Sequence, residues 1–414
     1  MGIRDWLARR LDVRNQADGT GITISSPDQL EAYILGVVGG SSAGVAVNVT
    51  SAQQVAAVHA SVRVISESIA QLPCVLFRRD GTKRNPAVDH PVYALLHDRP
   101  NEWMTAFEWR ELVSRHLNFR GNHYSLIVRG YGDRVLELLP MHPDRVKVQQ
   151  DPVTLALSYI YTRADGRRVV YPRRNVLHIR GLGDDGVVGL DPISLYREAI
   201  GLTLATQRHG SRFFANGAKP SGLLEIEGSM DAEARTAMRE DFESLFSGEN
   251  THRTATLPKG VSFKDIQMSN DNAQFLETRK YQRSEIASLF RVPPHMIGDL
   301  EKATFSNIEH QAVEFVVHSL TPWLVRIEQA LGRDLLNDAP DLFFKFNVDA
   351  LLRGDSKSRA EALNIKRRAG VINANEWRAL DDMNPREDEG GDEYIVEQNM
   401  TPQSGNAKDE EPAK

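Results

Sequence analysis

Gly181-Leu182-Gly183-Asp184-Asp185-Gly186 is the run whose residue types and spacing come nearest to a cofactor site, the glycine-rich turn that lets backbone amides approach a pyrophosphate. Its surroundings argue against that chemistry. Two carboxylates inside the loop repel a pyrophosphate, and the next helix is predicted only from Pro192, not from the last glycine. Positions about 20 residues further on fall inside that helix, so no strand-end acid is placed for a ribose. The run reads as a glycine-rich connection, and a nucleotide-binding enzyme using it is the rival reading. No glycine is followed by lysine, which excludes a Gly-Lys-Ser/Thr phosphate loop, and His-Glu-x-x-His is absent. His90, His97, His310 and His318 read as isolated surface or packed residues. Cys74 is the single cysteine, so neither an internal disulfide nor a cysteine zinc site can form; it opens the apolar run Val75-Leu76-Phe77 and reads as a buried thiol. The acid pairs Asp184-Asp185 and Asp381-Asp382 lie in no apolar setting that would tune them for proton transfer. Arg279, Lys280, Arg283 and Arg291 are offset by Glu277 and Glu285 and read as ion-pairing residues. No catalytic residue, cofactor or metal is expected.

Hydrophobic periodicity predicts the elements that hold these residues. Val55, Val58, Val62, Ile65, Ile69 and Leu72 recur in steps of three and four, a one-sided helix over 51–72 ended by Pro73. A strand over 75–79 turns at Asp80-Gly81. Thr105 and Glu108 form a capping box for a helix that stops at Gly121. Short strands are predicted at 124–129, 135–139, 146–148, 158–162, 169–171 and 176–179, which makes 51–190 an α+β domain. Before it, 36–44 reads as a flexible lead-in. Residues 1–15 read as a docking helix, with Ile3, Trp6, Leu7 and Leu11 opposite Arg4, Arg9, Arg10 and Arg14.

The midsection is organised differently. Pro192 opens a helix to about Asn216, roughly 37 Å long, apolar in its first half and polar in its middle. An insert follows: a strand alternating Leu224 and Ile226 with Glu225 and Glu227, an amphipathic helix over 231–246, and strands at 254–257 and 261–266. A helix over 272–291 returns and stops at Pro293-Pro294. After a polar loop, Ser306 and Glu309 cap a third helix that Pro322 should kink. Helices at 355–369 and after Asn373 precede a stretch from Pro385 with nine acids and three bases, which reads as a solvated tail. Elements that leave a core, form a tip and return build assemblies rather than pockets.

The length of 414 residues implies two to four domains. No apolar run approaches the roughly 20 residues of a membrane span. A net charge of −6 argues against a surface that grips nucleic acid, though not against one past which it slides.

Several segments, in order, carry a resemblance: Ser61-Val-Arg-Val-Ile-Ser-Glu-Ser-Ile-Ala-Gln-Leu-Pro, Asn118-Phe-Arg-Gly-Asn-His-Tyr and Leu138-Leu-Pro-Met-His-Pro. So do Phe213-Phe-Ala-Asn-Gly-Ala-Lys-Pro-Ser-Gly, Ile286-Ala-Ser-Leu-Phe-Arg-Val-Pro-Pro-His-Met-Ile-Gly and Asn375-Glu-Trp-Arg. Over roughly 54–394 the chain resembles the HK97-type portal proteins of tailed bacteriophages. The resemblance implies a multidomain α+β portal fold: wing over 51–190, stem helices over 191–217 and 269–292, and a small α/β clip over 218–268. A tunnel-loop region would occupy 293–305, a helix returning to the wing 306–352, and crown helices 353–384. It implies a dodecameric ring at the capsid vertex of the virion, assembled in the host cytoplasm, with double-stranded DNA passing through it. The terminase large subunit, which supplies ATP hydrolysis, the head-tail connector and the major capsid protein or scaffold are the implied partners, with no membrane. Asp299, Leu300, Glu301, Lys302 and Thr304 become the expected DNA-proximal residues, and Glu225, Glu227 and Asp241 the expected partner-facing residues of the clip. A connector or minor capsid protein is the second rival.

Overall fold

The computed structural model describes residues 40–81, 83–215, 223–226, 231–246, 261–264, 271–301, 305–336, 339–348, 356–381, 383–388 and 390–395. The segments expected at 1–15, 254–257 and 396–414 lie outside them. Two units divide at Phe346: Met1–Phe346 and Asn347–Lys414.

Where a flexible lead-in was expected, the chain from residue 40 is packed. Val45 and Val47 are buried, Ser41 Oγ donates to Val45 O, and Ser42 N donates to the Glu198 carboxylate at 3.0 Å. The helix expected over 51–72 is two helices, α1 (Val49–Gln53) and α2 (Ala56–Ala70), with Val55 extended between them. Asn48 and Ser51 form a reciprocal capping box that gives α1 its own start. All six residues of the predicted stripe are nonetheless buried. β1 (Cys74–Asp80) and β2 (Lys83–Pro86) form the expected hairpin, followed by α3 (Pro91–His97) and α4 (Ala106–Arg120). Thr105 and Glu108 cap α4 as predicted, and Gly121 ends it in the left-handed region. Arg110 on α4 donates to the terminal carbonyls Ala70 O and Leu96 O, so one guanidinium satisfies the ends of α2 and α3.

The predicted strands are present as β3 (Asn122–Arg129), β4 (Val135–Met141), β5 (Val146–Gln150), β6 (Leu157–Thr162), β7 (Arg168–Pro172) and β8 (Val176–Arg180). They make two antiparallel sheets, ordered β4-β3-β8 and β5-β6-β7, joined through a cluster of Tyr124, Met141, Tyr159 and Val176. The midsection contains α5 (Pro192–Leu195), α6 (Arg197–Ala215), β9 (Leu223–Ile226), α7 (Ala232–Phe246), β10 (Val261–Lys264) and α8 (Asp271–Leu289). The helix expected to run unbroken from 192 is interrupted at Tyr196. The third helix begins at Phe305, which places Ser306 inside it rather than at its cap: α9 (Phe305–Glu314) leads through a π turn (Phe315–Leu320) into α10 (Thr321–Leu335). The π turn answers Pro322, whose ring excludes the ordinary bond to the carbonyl four residues back. A strand that periodicity missed, β11 (Leu342–Phe346), pairs antiparallel with β1 inside the segment expected to be only a returning helix.

In the second unit, α11 (Ser356–Arg368) ends before Gly370, and α12 (Ala374–Leu380) carries the predicted Asn373–Glu376 capping box. Part of the stretch expected to be solvated tail is instead held on α12. Asn375 Nδ2 donates to Asp392, Arg386 N donates to Asn375 Oδ1, and Tyr394 OH donates to Glu376.

Three buried histidines sit in the first unit. His116 and His123 meet at 3.0 Å through their Nδ1 atoms, and His123 Nε2 meets Ser125 Oγ at 2.9 Å. His178 lies between Asn122 Oδ1 and Tyr159 OH, at 3.0 and 3.2 Å. Burial pushes His116 down to about 3, His178 to about 2 and His123 well below the usual imidazole range. The folded chain keeps all three neutral while the unfolded chain protonates them near pH ~6.5. Stability from this source is therefore full above about pH 6.5 and is lost as pH falls toward the folded values. Chemical denaturation between about pH 7 and pH 5 should show unfolding free energy falling by up to about 1.4 kcal/mol per pH unit per histidine. A flat profile over that window would contradict this burial.

Candidate functional site

α6 and α8 run antiparallel in close contact. A Cβ on Gly210 would stand 2.6 Å from Phe275 Cζ, so the Phe275 ring packs directly over the bare α6 backbone there. Gln282 Nε2 donates to Thr206 Oγ1 at 3.0 Å, and the Tyr196 and Phe290 rings meet edge-on at 5.6 Å. Ile200 and Leu204 on α6 and Gln282, Ile286 and Ala287 on α8 are buried. The other faces stay open: Leu202, Leu276 and Tyr281 are 50%, 61% and 68% exposed. The β9–α7–β10 unit joins the pair at one end, and the loop after α8 leaves at the other. At 1.5 Å per residue, helices of 19 residues separate these ends by roughly 28 Å.

The loop begins where Arg291 turns into the left-handed region at φ 55°, its carbonyl accepting from Ser319 Oγ. A helical turn over Pro294–Ile297 ends at Gly298, also left-handed at φ 84°. Asp299 N donates to Pro294 O at 3.0 Å, while the Asp299 carboxylate accepts from Ser284 Oγ at 3.4 Å. Lys280 pairs with Glu301, a contact that raises the lysine pKa. Two of the five expected loop residues thus fold back on α8. Leu300 between them is 65% exposed. Lys302 and Thr304 lie outside the described residues. Sequence reasoning placed Lys280 in an ion pair but found neither its partner nor Ser284. The available signal was that Lys280 and Ser284 lie one helical turn apart and Asp299 and Glu301 two residues apart, so both pairs can align.

Of the three expected partner-facing acids, Glu225 is exposed on β9 opposite Ser262 of β10. Asp241 belongs to α7, and Glu227 lies outside the described residues. In chain order the loop acids follow α8, whereas the β9 and α7 acids lie between α6 and α8.

The glycine-rich run has a structural purpose. Gly121 sits at φ 67°, and a Cβ there would stand 1.9 Å from Leu190 O; one on Gly189 would stand 2.1 Å from Gly121 O. Gly181 N donates to Gly121 O and Leu190 N to Leu182 O, both at 2.7 Å. The Asp185 carboxylate accepts from Val187 N and Val188 N, which holds its pKa low. Asn122 closes the clasp: its Nδ2 donates to Gly189 O and Arg120 O, and its Oδ1 accepts from Gly189 N and faces His178 Nε2. The amides of Gly181, Val187, Val188, Gly189 and Leu190, which flank the run, are already bonded within the chain. Among the described residues no cluster of His, Cys, Asp or Glu could hold a metal ion. Cys74 is buried and its thiol is pushed up to about 12.

Comparison with known proteins gives the family and the fold. The family model described as "Phage portal protein" matches residues 56–382. A "Probable portal protein" of Streptomyces phage phiC31 is 37% identical over 399 residues, covering 92% of this chain and 86% of the relative. The "Portal protein" of Enterobacteria phage HK97 is 32% identical over 418 residues, covering 99% and 94%. A chain from the neck of a native gene transfer agent particle, computed with C12 symmetry, shares the fold at a TM-score of 0.54. That match is 22% identical and covers 90% of this chain and 98% of that one.

Replacing Asn122 by alanine leaves Gly189 N and Gly189 O without their partner inside the protein. Urea unfolding should show a loss of about 3 kcal/mol, from unmade buried hydrogen bonds at about 1–3 kcal/mol each. A loss under about 1 kcal/mol would mean the clasp is held by its backbone bonds alone.

Proposed function

The chain belongs to the phage portal protein family, and on that footing we propose that its copies form a closed ring at the DNA entrance of a capsid, with α6 and α8 in the wall of the channel. One observation carries the reading: the α6–α8 pair buries only one side of each helix and leaves Leu202, Leu276 and Tyr281 open in the single chain. A ring built by rotation needs unlike faces that meet head to tail, and two half-covered helices beside each neighbour supply them. Twelve copies is the number we favour, in keeping with the C12 symmetry of the neck to which the chain is similar.

The loop after α8 is proposed as the part nearest the DNA. A duplex carries one charge per roughly 1.7 Å, and a strongly basic rim would hold it fast. Here Lys280 is neutralised by Glu301, and Leu300 is what projects. Such a rim opposes sliding weakly. The β9–α7–β10 unit at the far end is proposed as the docking surface for the terminase large subunit, which hydrolyses ATP, and later for the head-tail connector. Glu225, Glu227 and Asp241 would be its acidic contacts. The role is structural, and the protein itself catalyses nothing in this scheme. The remaining surface meets the capsid protein or scaffold, and assembly takes place in the host cytoplasm before the ring enters the virion.

Electron microscopy of the purified protein or of native particles should show a ring of this chain at the DNA entrance; particles without one would end the proposal. Deleting residues 298–304 should leave ring formation intact while packaging falls. If the deletion abolishes rings instead, the loop serves assembly and does not line the path of DNA.

A further inference from the structure

A cleft of about 320 Å³ lies between the 181–188 loop and one face of α10. Arg180, Arg326 and Arg333 line it with His178, Gly183 and Gln329 among others, and no carboxylate does. The nearest buried acid, Asp334, is fully engaged: Oδ1 accepts from Arg173 and Arg333, and Oδ2 accepts from His178 N and Arg333. Asp185 of the adjoining loop binds the amides of its own turn, and Asp184 does not line the cleft. Three guanidiniums therefore line this hollow, against the committed carboxylate of Asp334 and the nearby Asp185, whose charge is felt by Arg180.

The three lining arginines are not equivalent. Arg333 is held by Asp334 and by His178 O, and Arg326 gives one Nη1 donor to Gly181 O at 2.8 Å. Arg180, half-buried at the end of β8, makes no side-chain hydrogen bond or ion pair among the described residues. A concave site with a spare guanidinium and surplus positive charge calls for an anion that can accept forked hydrogen bonds. The loop's amides cannot complete a phosphate cradle, because Gly181, Val187, Val188, Gly189 and Leu190 already donate elsewhere. The hollow has room for a side chain or two. A chain of net charge −6 offers carboxylates to any neighbour of its own kind.

We infer that this cleft is a socket between subunits, in which Arg180 and Arg326 of one chain grip an aspartate or glutamate of the adjacent copy. The inference rests on the ring reading and deepens it. In a head-to-tail ring every copy offers both socket and acid, so one weak contact is repeated at each interface. A carboxylate entering the cleft would bond to Arg180 through two nitrogens and displace water from a site already poor in competing acids.

The test uses full-length protein carrying Arg180→Gln or Arg180→Glu, compared with wild type by thermal melting and by sedimentation and electron microscopy across protein concentration. Melting should change little, because the Arg180 side chain makes no hydrogen bond or ion pair among the described residues. Arg180→Gln should raise the concentration needed for half assembly by about tenfold, and Arg180→Glu by more. Rings of either variant forming at the wild-type concentration would overturn the socket and leave the ring reading standing. So would assembly loss matched by an equal loss of fold in both variants, since that assigns Arg180 a role inside the chain. Unchanged assembly with lost binding of a short DNA duplex would replace the carboxylate by a nucleic-acid phosphate. A wild-type chain that never forms rings would remove the ring reading and the socket together.

Discussion

Asn122 holds three segments with one buried side chain. It receives and donates at Gly189, donates to Arg120 O at the end of α4, and presents its oxygen to His178 of β8. Because Oδ1 can only accept, the His178 atom facing it must be the protonated Nε2, which leaves Nδ1 to accept from Tyr159 OH. The tautomer, the neutral charge of the ring and the position of β6 relative to β8 all follow from that choice. The same clasp positions the loop before Pro192, and so fixes where α5 and α6 leave the α+β body. Projecting helices need a rigid root, and this root is a polar network with its hydrogen bonds made rather than an apolar plug.

A second tie joins α10 to the same sheet. Asp334, almost wholly buried, accepts from Arg173 and Arg333 and from the amide of His178, while Arg333 also donates to His178 O. Breaking a buried ion pair is costly because it strands the remaining charge. The tie sits one helix beyond the loop whose anchors are Lys280 and Ser284, so the loop lies between two fixed points: α8 on one side and the π turn with α10 on the other. Ser319 within that π turn donates to Arg291 O. Pro322 therefore does more than interrupt a helix, since the wider turn it enforces carries the hydroxyl that holds the start of the loop.

Much of this was legible in the sequence where one local signal dominates. The Thr105–Glu108 and Asn373–Glu376 boxes, the stripe from Val55 to Leu72 and the strand alternation in β3 to β8 each reflect chemistry within a few residues. What was missed depends on partners far away in the chain. β11 contains Leu-Phe-Phe-Lys-Phe, too short a run to separate strand from helix by periodicity, and only its pairing with Cys74–Asp80 settles the matter. The break at Val55 was hidden because an extended valine keeps its place in the apolar stripe. The lead-in from residue 40 looked flexible by composition, yet glycine and serine there permit close packing. A Cβ on Gly201 of α6 would stand 2.2 Å from Ser41 Oγ.

The glycine-rich run shows why a motif needs its surroundings before it carries a function. Gly181 and Gly183 stand where a phosphate-binding turn would have them, and a Cβ on Gly183 would lie 2.4 Å from Val188 O. Glycine is required at that point by backbone meeting backbone, not backbone meeting ligand. Composition alone cannot separate these cases, since both ask for a residue without a Cβ. Hydrogen-bond accounting separates them: in a phosphate site the amides await an acceptor, whereas here Gly189 N is bonded to Asn122, and Val187 N and Val188 N to Asp185. Asp185, one of the carboxylates that argued against a pyrophosphate on charge alone, turns out to occupy two donors just beyond the run, Val187 N and Val188 N.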